Sequence, residues 1–237
     1  MIKIRETNHM EYQEGMEQID HSIMNKVLEM TDKYDYSKYT AWDVRNVLSK
    51  DSIDINDLAV LLSPAAEPML EQMAQRAKTE TAKHFGNTVC MFTPLYIANY
   101  CENYCVYCGF NCSNKIKRGK LSMDEIEAEY KTISETGLRE ILLLTGESKT
   151  ASPVEYIADA VRLAKKYFST IGIEVYPMNS DEYALIKEAG ADFVSVYQET
   201  YNPVKYEEVH LRGAKRIFPY RFNAQERALM GGMRGVA

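Results

Sequence analysis

Three thiols lie close together in the segment Cys101-Glu-Asn-Tyr-Cys105-Val-Tyr-Cys108. Thiolates are soft ligands, and three of them can hold three irons of a four-iron cubane while the fourth iron keeps an open position for a small molecule. Two other metal chemistries would recruit Cys112 as a fourth ligand. A ferredoxin-type run needs two residues between each of its first three cysteines and a proline after the last, whereas three residues separate Cys101 from Cys105 and Ser113 follows Cys112. A structural zinc site wants paired spacings on separate loops, and no second pair or histidine partner stands nearby in the sequence. The spacing favours the three-ligand cluster. An electron-transfer or structural metal protein using Cys112 is the alternative.

The elements around these thiols fall into two patterns. Residues 1–85 read as a mostly helical region. Apolar positions are spaced helically over Asn8–Met30 and again over Asn56–Thr81, where Leu58, Leu61 and Leu62 precede Leu70 and Met73. Ser63-Pro64 breaks the second stretch, and Asp32–Tyr39 reads as a loop entering a helix at Thr40. From residue 86 onward, short β-branched runs alternate with amphipathic helices, the pattern of βα units on a parallel sheet. Strands are expected at Val89–Ile97, Glu140–Thr145, Gly172–Tyr176 and Asp192–Tyr197. Ser122 and Glu125 form a capping box for a helix ending at Gly137. Ser152-Pro153 opens the next helix, Asn179 or Ser180 opens one that ends at Gly190, and Asn223 opens one that stops near Gly231. The expected fold is α/β, a partial (β/α) barrel of about four parallel units over 86–237. The residues after Gly232 read as the start of a fifth strand, so the chain reads as C-terminally truncated. The cysteines directly follow the first strand, at the sheet edge where α/β folds build their sites.

Composition narrows the function classes. The 237 residues include 28 basic and 34 acidic side chains, a formal net charge of −6 that disfavours nucleic acid and anionic membrane surfaces as partners. No secretory signal or membrane-length apolar run is visible, and the expected location is cytoplasmic. In that setting thiols stay reduced, and the odd count of five cysteines, four of them between 101 and 112, argues for metal rather than disulfides. Cys90 falls in the first expected strand and reads as a small buried hydrophobe. The basic run Lys115, Lys117, Arg118 and Lys120 reads as a solvated loop.

The CxxxCxxC motif with Tyr107 before its third cysteine resembles the radical S-adenosylmethionine (SAM) superfamily. Further segments narrow the likeness: Phe92-Thr-Pro-Leu-Tyr-Ile-Ala-Asn-Tyr-Cys101, Ser113-Asn-Lys-Ile-Lys-Arg118, Leu144-Thr-Gly-Glu147, Val196-Tyr-Gln-Glu-Thr-Tyr-Asn202, and Tyr206 with His210, Gly213, Lys215 and Arg221. From about residue 90 to the end they resemble the tyrosine lyases of thiamine synthesis, the 2-iminoacetate synthases. The resemblance implies a TIM-type radical SAM barrel in which Cys101, Cys105 and Cys108 ligate a [4Fe-4S] cluster and SAM chelates the open iron. It implies cleavage of the Cα–Cβ bond of L-tyrosine to 2-iminoacetate and p-cresol, with a one-electron reductant of flavodoxin or ferredoxin type and an association with a thiazole synthase. An inactive fragment remains the alternative for a chain of this length.

The same resemblance places Gly146 and Glu147 against the SAM amino group, and Gln198, Glu199 and Tyr201 along the SAM and substrate cavity. Arg221 and His210 are candidates for fixing a carboxylate of SAM or tyrosine, and Tyr107 for packing on the adenine. No residue is assigned as the catalyst. Cys112 reads as a thiol near the loop that ligates nothing. An unpaired glutamate buried at a strand end is costly without a cation, which favours a ligand ammonium beside Glu147.

Overall fold

The computed structural model describes residues 6–236. By compactness these form two units, one spanning Glu29–Cys90 and one joining the residues up to Leu28 with those from Met91 onward.

The first helix, α1 (Ser22–Lys33), starts well after Asn8. Residues ahead of it make short-range turn contacts, such as the Glu11 amide to the Asn8 carbonyl at 3.2 Å, and also hydrogen-bond to distant loops. The Glu17 amide donates to Asn179 Oδ1 at 2.9 Å, the Asn179 side-chain amide donates to the Gly15 carbonyl at 2.9 Å, and the Glu17 carboxylate accepts from the amide and hydroxyl of Ser180. In the smaller unit, α2 (Ala41–Leu48) and α3 (Ile55–Leu61) each open on a capping box, Thr40 with Asp43 and Asp54 with Asp57. A 3₁₀ turn at Pro64–Met69 leads into α4 (Leu70–Phe85), as the Ser63-Pro64 break requires. Val44, Ala66 and Met69 form this unit's core.

The larger unit alternates strand and helix: β1 (Phe92–Ala98), the short β2 (Tyr104–Cys105), α5 (Met123–Glu135), β3 (Glu140–Thr145), α6 (Val154–Ala164), β4 (Thr170–Glu174), α7 (Ser180–Ala189) and β5 (Phe193–Val194). After them come α8 (Pro203–Val209), β6 (His210–Arg212), α9 (Phe218–Phe222), α10 (Ala224–Met230) and β7 (Gly235–Val236). Five strands pair in parallel in the order β1-β3-β4-β5-β7, one more than the four expected from the sequence. The start of a strand seen after Gly232 is thus realised as β7. β2 and β6 form a separate antiparallel ribbon.

The helix boundaries follow the expected caps. Ser122 accepts from the Glu125 amide at the start of α5, and Gly190 closes α7 in a left-handed conformation, φ 119°, that glycine adopts without penalty. Ile141, Leu143, Ile171, Ile173 and Val194 of the sheet pack with Ile126, Tyr130, Ile157, Val161 and Ile186 of the helices. Cys90 departs from expectation, because β1 starts only at Phe92 and leaves this thiol exposed outside the strand.

Candidate functional site

The segment after β1 carries all three thiols of the motif. Cys105 lies in β2, buried, with His210 of β6 opposite it, while Cys101 and Cys108 are half-buried. The loop is shaped by its own main chain. The Cys108 amide donates to the Cys105 carbonyl at 3.2 Å, the Asn111 amide to the Cys108 carbonyl at 3.2 Å, and the Phe110 amide to the Cys108 sulfur at 3.4 Å. Burial pushes the Cys101 thiol up and that of Cys105 up to about 12, so ionisation of these groups has to be supplied by a metal, which deprotonates a coordinating thiol outright. Among the described residues, no three His, Cys, Asp or Glu side chains gather tightly enough to hold one ion. A cubane asks for a different arrangement, one thiolate on each of three irons, and this donor set suits it.

Asn103, inside the motif and 1% exposed, ties the loop to the sheet. Its side-chain amide donates to Glu147 Oε2 at 2.9 Å, its Oδ1 accepts from the Lys215 amide at 3.0 Å, and its carbonyl accepts from the Cys112 amide at 2.9 Å. Gly146 permits the same close approach from the other side, since a Cβ there would stand 2.2 Å from the Tyr100 carbonyl oxygen. Its observed part is backbone clearance.

Beyond the ends of the parallel strands, Glu147, Glu199, Lys215 and Arg221 form a charged quartet. Arg221, 5% exposed, donates from Nη1 to Glu147 Oε1 at 2.9 Å and from Nε to the Tyr197 carbonyl. Lys215 Nζ donates to Glu199 Oε1 at 2.7 Å and lies 3.9 Å from Glu147. Glu147 is therefore not the unpaired carboxylate that the sequence suggested, and Arg221 is not at the surface. Burial raises the Glu199 carboxyl, but the hydrogen bond and charge of Lys215 outweigh it and hold the group below the usual carboxylate range. Burial likewise opposes the Arg221 charge, and Glu147 more than restores it. The quartet lines a cavity of about 90 Å³ with Thr145, whose buried hydroxyl has no partner among the described residues, and with Glu174, raised by burial against the opposing charges of Lys215 and Arg221. Two positive and two negative side chains at the strand ends match a zwitterionic amino acid group.

Tyr107 and His210 form a second pairing. The Tyr107 hydroxyl lies 2.7 Å from His210 Nε2, and His210 Nδ1 lies 2.9 Å from the Tyr206 carbonyl. A carbonyl only accepts, so Nδ1 carries the proton and neutral Nε2 accepts from Tyr107. Burial pushes His210 down to about 4, keeping it neutral near pH 7. Both ring nitrogens are thus occupied and the side chain is fully buried, an arrangement that supports Tyr107 rather than a carboxylate.

Two expected residues stand apart. Ser195, Tyr197 and Glu199 line the cavity, whereas Gln198 is not among its lining residues; it is buried, with both amide atoms unpartnered among the described residues. Tyr201 is exposed, its ring edge-on to Phe222 at 5.6 Å. Conversely, Asn103 and Lys215 carry contacts that no spacing rule assigned. A buried asparagine between two cysteines is the kind of polar residue that needs partners and could have been singled out on that ground.

The superfamily described as Radical SAM matches residues 95–229. The 2-iminoacetate synthase of Escherichia coli (strain K12) is 41% identical over 194 residues, covering 82% of this chain and 52% of that protein. The 3-methylornithine synthase of Methanosarcina barkeri (strain Fusaro) is 32% identical over 181 residues, covering 75% and 50%. Among solved structures, HydG, a maturase of the [FeFe]-hydrogenase, superposes with a TM-score of 0.82 at 28% identity over 90% of this chain and 48% of that one. Methylornithine synthase (PylB) superposes with a TM-score of 0.62 at 27% identity over 87% and 57%. The chain spans about half the length of the curated relatives it matches.

Proposed function

We propose that this chain, which belongs to the radical SAM superfamily, is the cluster-bearing part of a lyase that breaks the Cα–Cβ bond of L-tyrosine to give 2-iminoacetate and p-cresol for the thiazole ring of thiamine. The observation that carries the reading is the 41% identity to a 2-iminoacetate synthase over 82% of this chain, beside a superfamily match over residues 95–229 that takes in the thiol loop and the charged quartet. When bound, the [4Fe-4S] cluster and SAM supply a one-electron reductive cleavage that yields a carbon radical able to take hydrogen from a substrate.

Cys101, Cys105 and Cys108 would hold the cluster. Glu147 and Glu199 would receive the ammonium of SAM, and Arg221 and Lys215 its carboxylate, each exchanging one partner within the quartet for one on the ligand. Such an exchange would leave each of the four side chains beside an opposite charge, so charges already desolvated are not left bare. Tyr107, held by His210, would present its ring to the cofactor beside the loop. Gln198 and Tyr201 remain proposed cavity residues on resemblance alone. A flavodoxin- or ferredoxin-type donor and a thiazole synthase are the partners this reading entails.

The test is anaerobic reconstitution of the 237-residue chain with iron and sulfide, followed by electron paramagnetic resonance of the reduced protein with and without SAM. The expected result is a [4Fe-4S] signal that shifts on adding SAM, and p-cresol formed only when tyrosine and reductant are both present. A cluster indifferent to SAM would overturn the assignment of cofactor. A SAM-responsive cluster that leaves tyrosine intact would overturn the assignment of substrate for this chain.

A further inference from the structure

The basic run after the cysteines does not behave as one solvated patch. Lys115 and Lys117 are exposed and Lys120 lies over the Tyr156 ring at 4.0 Å, but Arg118 turns back into the loop. Its Nη1 donates to the Asn99 carbonyl at 2.6 Å and to the Phe110 carbonyl at 2.9 Å, and its Nη2 donates to the Asn111 carbonyl at 2.8 Å. Asn99 precedes the first cysteine, while Phe110 and Asn111 follow the third. One guanidinium therefore bridges the arm that enters the thiol loop and the arm that leaves it.

The backbone around Arg118 sets that position. Ala98 pairs with Lys120 across an antiparallel bridge, the Asn99 amide donates to the Gly119 carbonyl at 3.1 Å, and the Leu121 amide donates to the Ile97 carbonyl at 2.9 Å. The Asn99 side chain completes the stem, donating to the Lys117 carbonyl at 3.0 Å and accepting from the Gly119 amide at 2.7 Å. Residues 97–99 and 117–121 thus close the neck of an excursion that contains all three thiols. The stem fixes the neck only; the return arm near residues 110 and 111 is tied back to it by Arg118.

We infer that Arg118 is a positioning residue for the metal site: its planar fork clamps the two arms of the thiol loop so that Cys101, Cys105 and Cys108 are already convergent before iron arrives. This rests on the proposed cluster. Arginine suits the task because its donors are set in a rigid plane that reaches several carbonyls at once, which a lysine ammonium on a flexible stem does not. All three acceptors are main-chain carbonyls, so among the described residues no carboxylate hydrogen-bonds the guanidinium, and it stands beside a loop whose thiolates would become negative on binding iron.

Arg118→Gln and Arg118→Lys test the inference, with Lys117→Ala as a neighbouring control. Iron and sulfide per chain after reconstitution, the rate of iron loss to a chelator, and the melting of the metal-free protein are measured on each. The clamp predicts that Arg118→Gln and Arg118→Lys both lose iron about tenfold or more faster than the unaltered chain, as expected for losing hydrogen bonds from a charged donor, while metal-free melting and Lys117→Ala stay unchanged. A lysine variant indistinguishable from the unaltered chain would show that charge alone matters and would overturn the clamp. Unaltered iron retention in both variants would overturn it as well. So would a fall in metal-free melting that accounts for the iron loss, since the residue would then serve the fold as a whole. Should the unaltered chain take up no cluster at all, the proposed cofactor fails instead, which keeps the two conclusions separable.

Discussion

The thiol loop and the charged quartet sit at the same end of the sheet and solve opposite problems. The loop brings together three thiols, and burial raises those of Cys101 and Cys105, the latter to about 12, so its geometry is set by neighbours while its charge awaits a metal. The quartet brings together four charges that satisfy one another, Arg221 with Glu147 and Lys215 with Glu199, and needs nothing to be stable. Asn103 touches both, donating to Glu147 from within the cysteine motif. On the proposed function a ligand would complete the first region and rearrange the second, so the two should respond differently to substitution.

The largest effect is expected in the loop. Cys105→Ser removes one of the three proposed ligands of a cubane with no protein ligand to spare, and iron per chain after reconstitution should fall to near background with metal-free melting little changed. Iron retained at the unaltered level would show that Cys105 is not a ligand. In the quartet the same severity appears as stability. Arg221→Met leaves Glu147 with the Asn103 amide and, as cation, Lys215 at 3.9 Å, and breaking a buried pair by removing one partner costs about 3 kcal/mol or more. Denaturant unfolding of the metal-free chain should show that loss. A variant as stable as the unaltered chain would mean that the pair is solvated and that the quartet does not resist rearrangement.

Gly146→Ala probes the seam between the regions. Its Cβ would stand 2.2 Å from the Tyr100 carbonyl oxygen and 2.7 Å from the carbonyl carbon, atoms of backbone that cannot rotate aside. Overpacking of this kind costs about 1–3 kcal/mol, and here it should also displace the thiol loop, so unfolding and iron retention should worsen together. A loss of stability with unaltered iron retention would show that loop and strand move independently.

How much of this was readable in the sequence follows the same division. The thiol motif, the capping box of Ser122 and Glu125, and the glycine that ends α7 are local signals, and each depends on residues within a few positions of one another. The quartet draws on segments from residue 147 to 221, and no spacing rule pairs Glu147 with Arg221 across 74 positions; the residue types pointed to the site but the pairings did not. The early residues failed for a related reason. Their apolar spacing is helical, yet the Glu17 amide and the Gly15 carbonyl bond the Asn179 side chain and the Glu17 carboxylate accepts from Ser180, a demand set far along the chain. Arg118 shows the limit within a local segment, since a run of basic residues reads as solvated until one of them is seen to turn inward onto carbonyls.

The smallest effect is expected at Cys112, and it bears directly on the comparison. This half-buried thiol closes the motif's far side, but the contact holding its segment is its amide, which donates to the Asn103 carbonyl and is retained by alanine. Cys112→Ala should therefore keep iron and sulfide per chain unchanged and preserve the response of the reduced cluster to SAM. A fall in iron together with loss of the SAM response would place the fourth ligand in the protein. The loop would then be complete without a small molecule, as the quartet is, and the electron-transfer or structural metal reading would replace the lyase. Unchanged iron with an unchanged SAM response leaves the open iron as the feature that separates the two regions, one finished by its ligand and the other only repartnered by it.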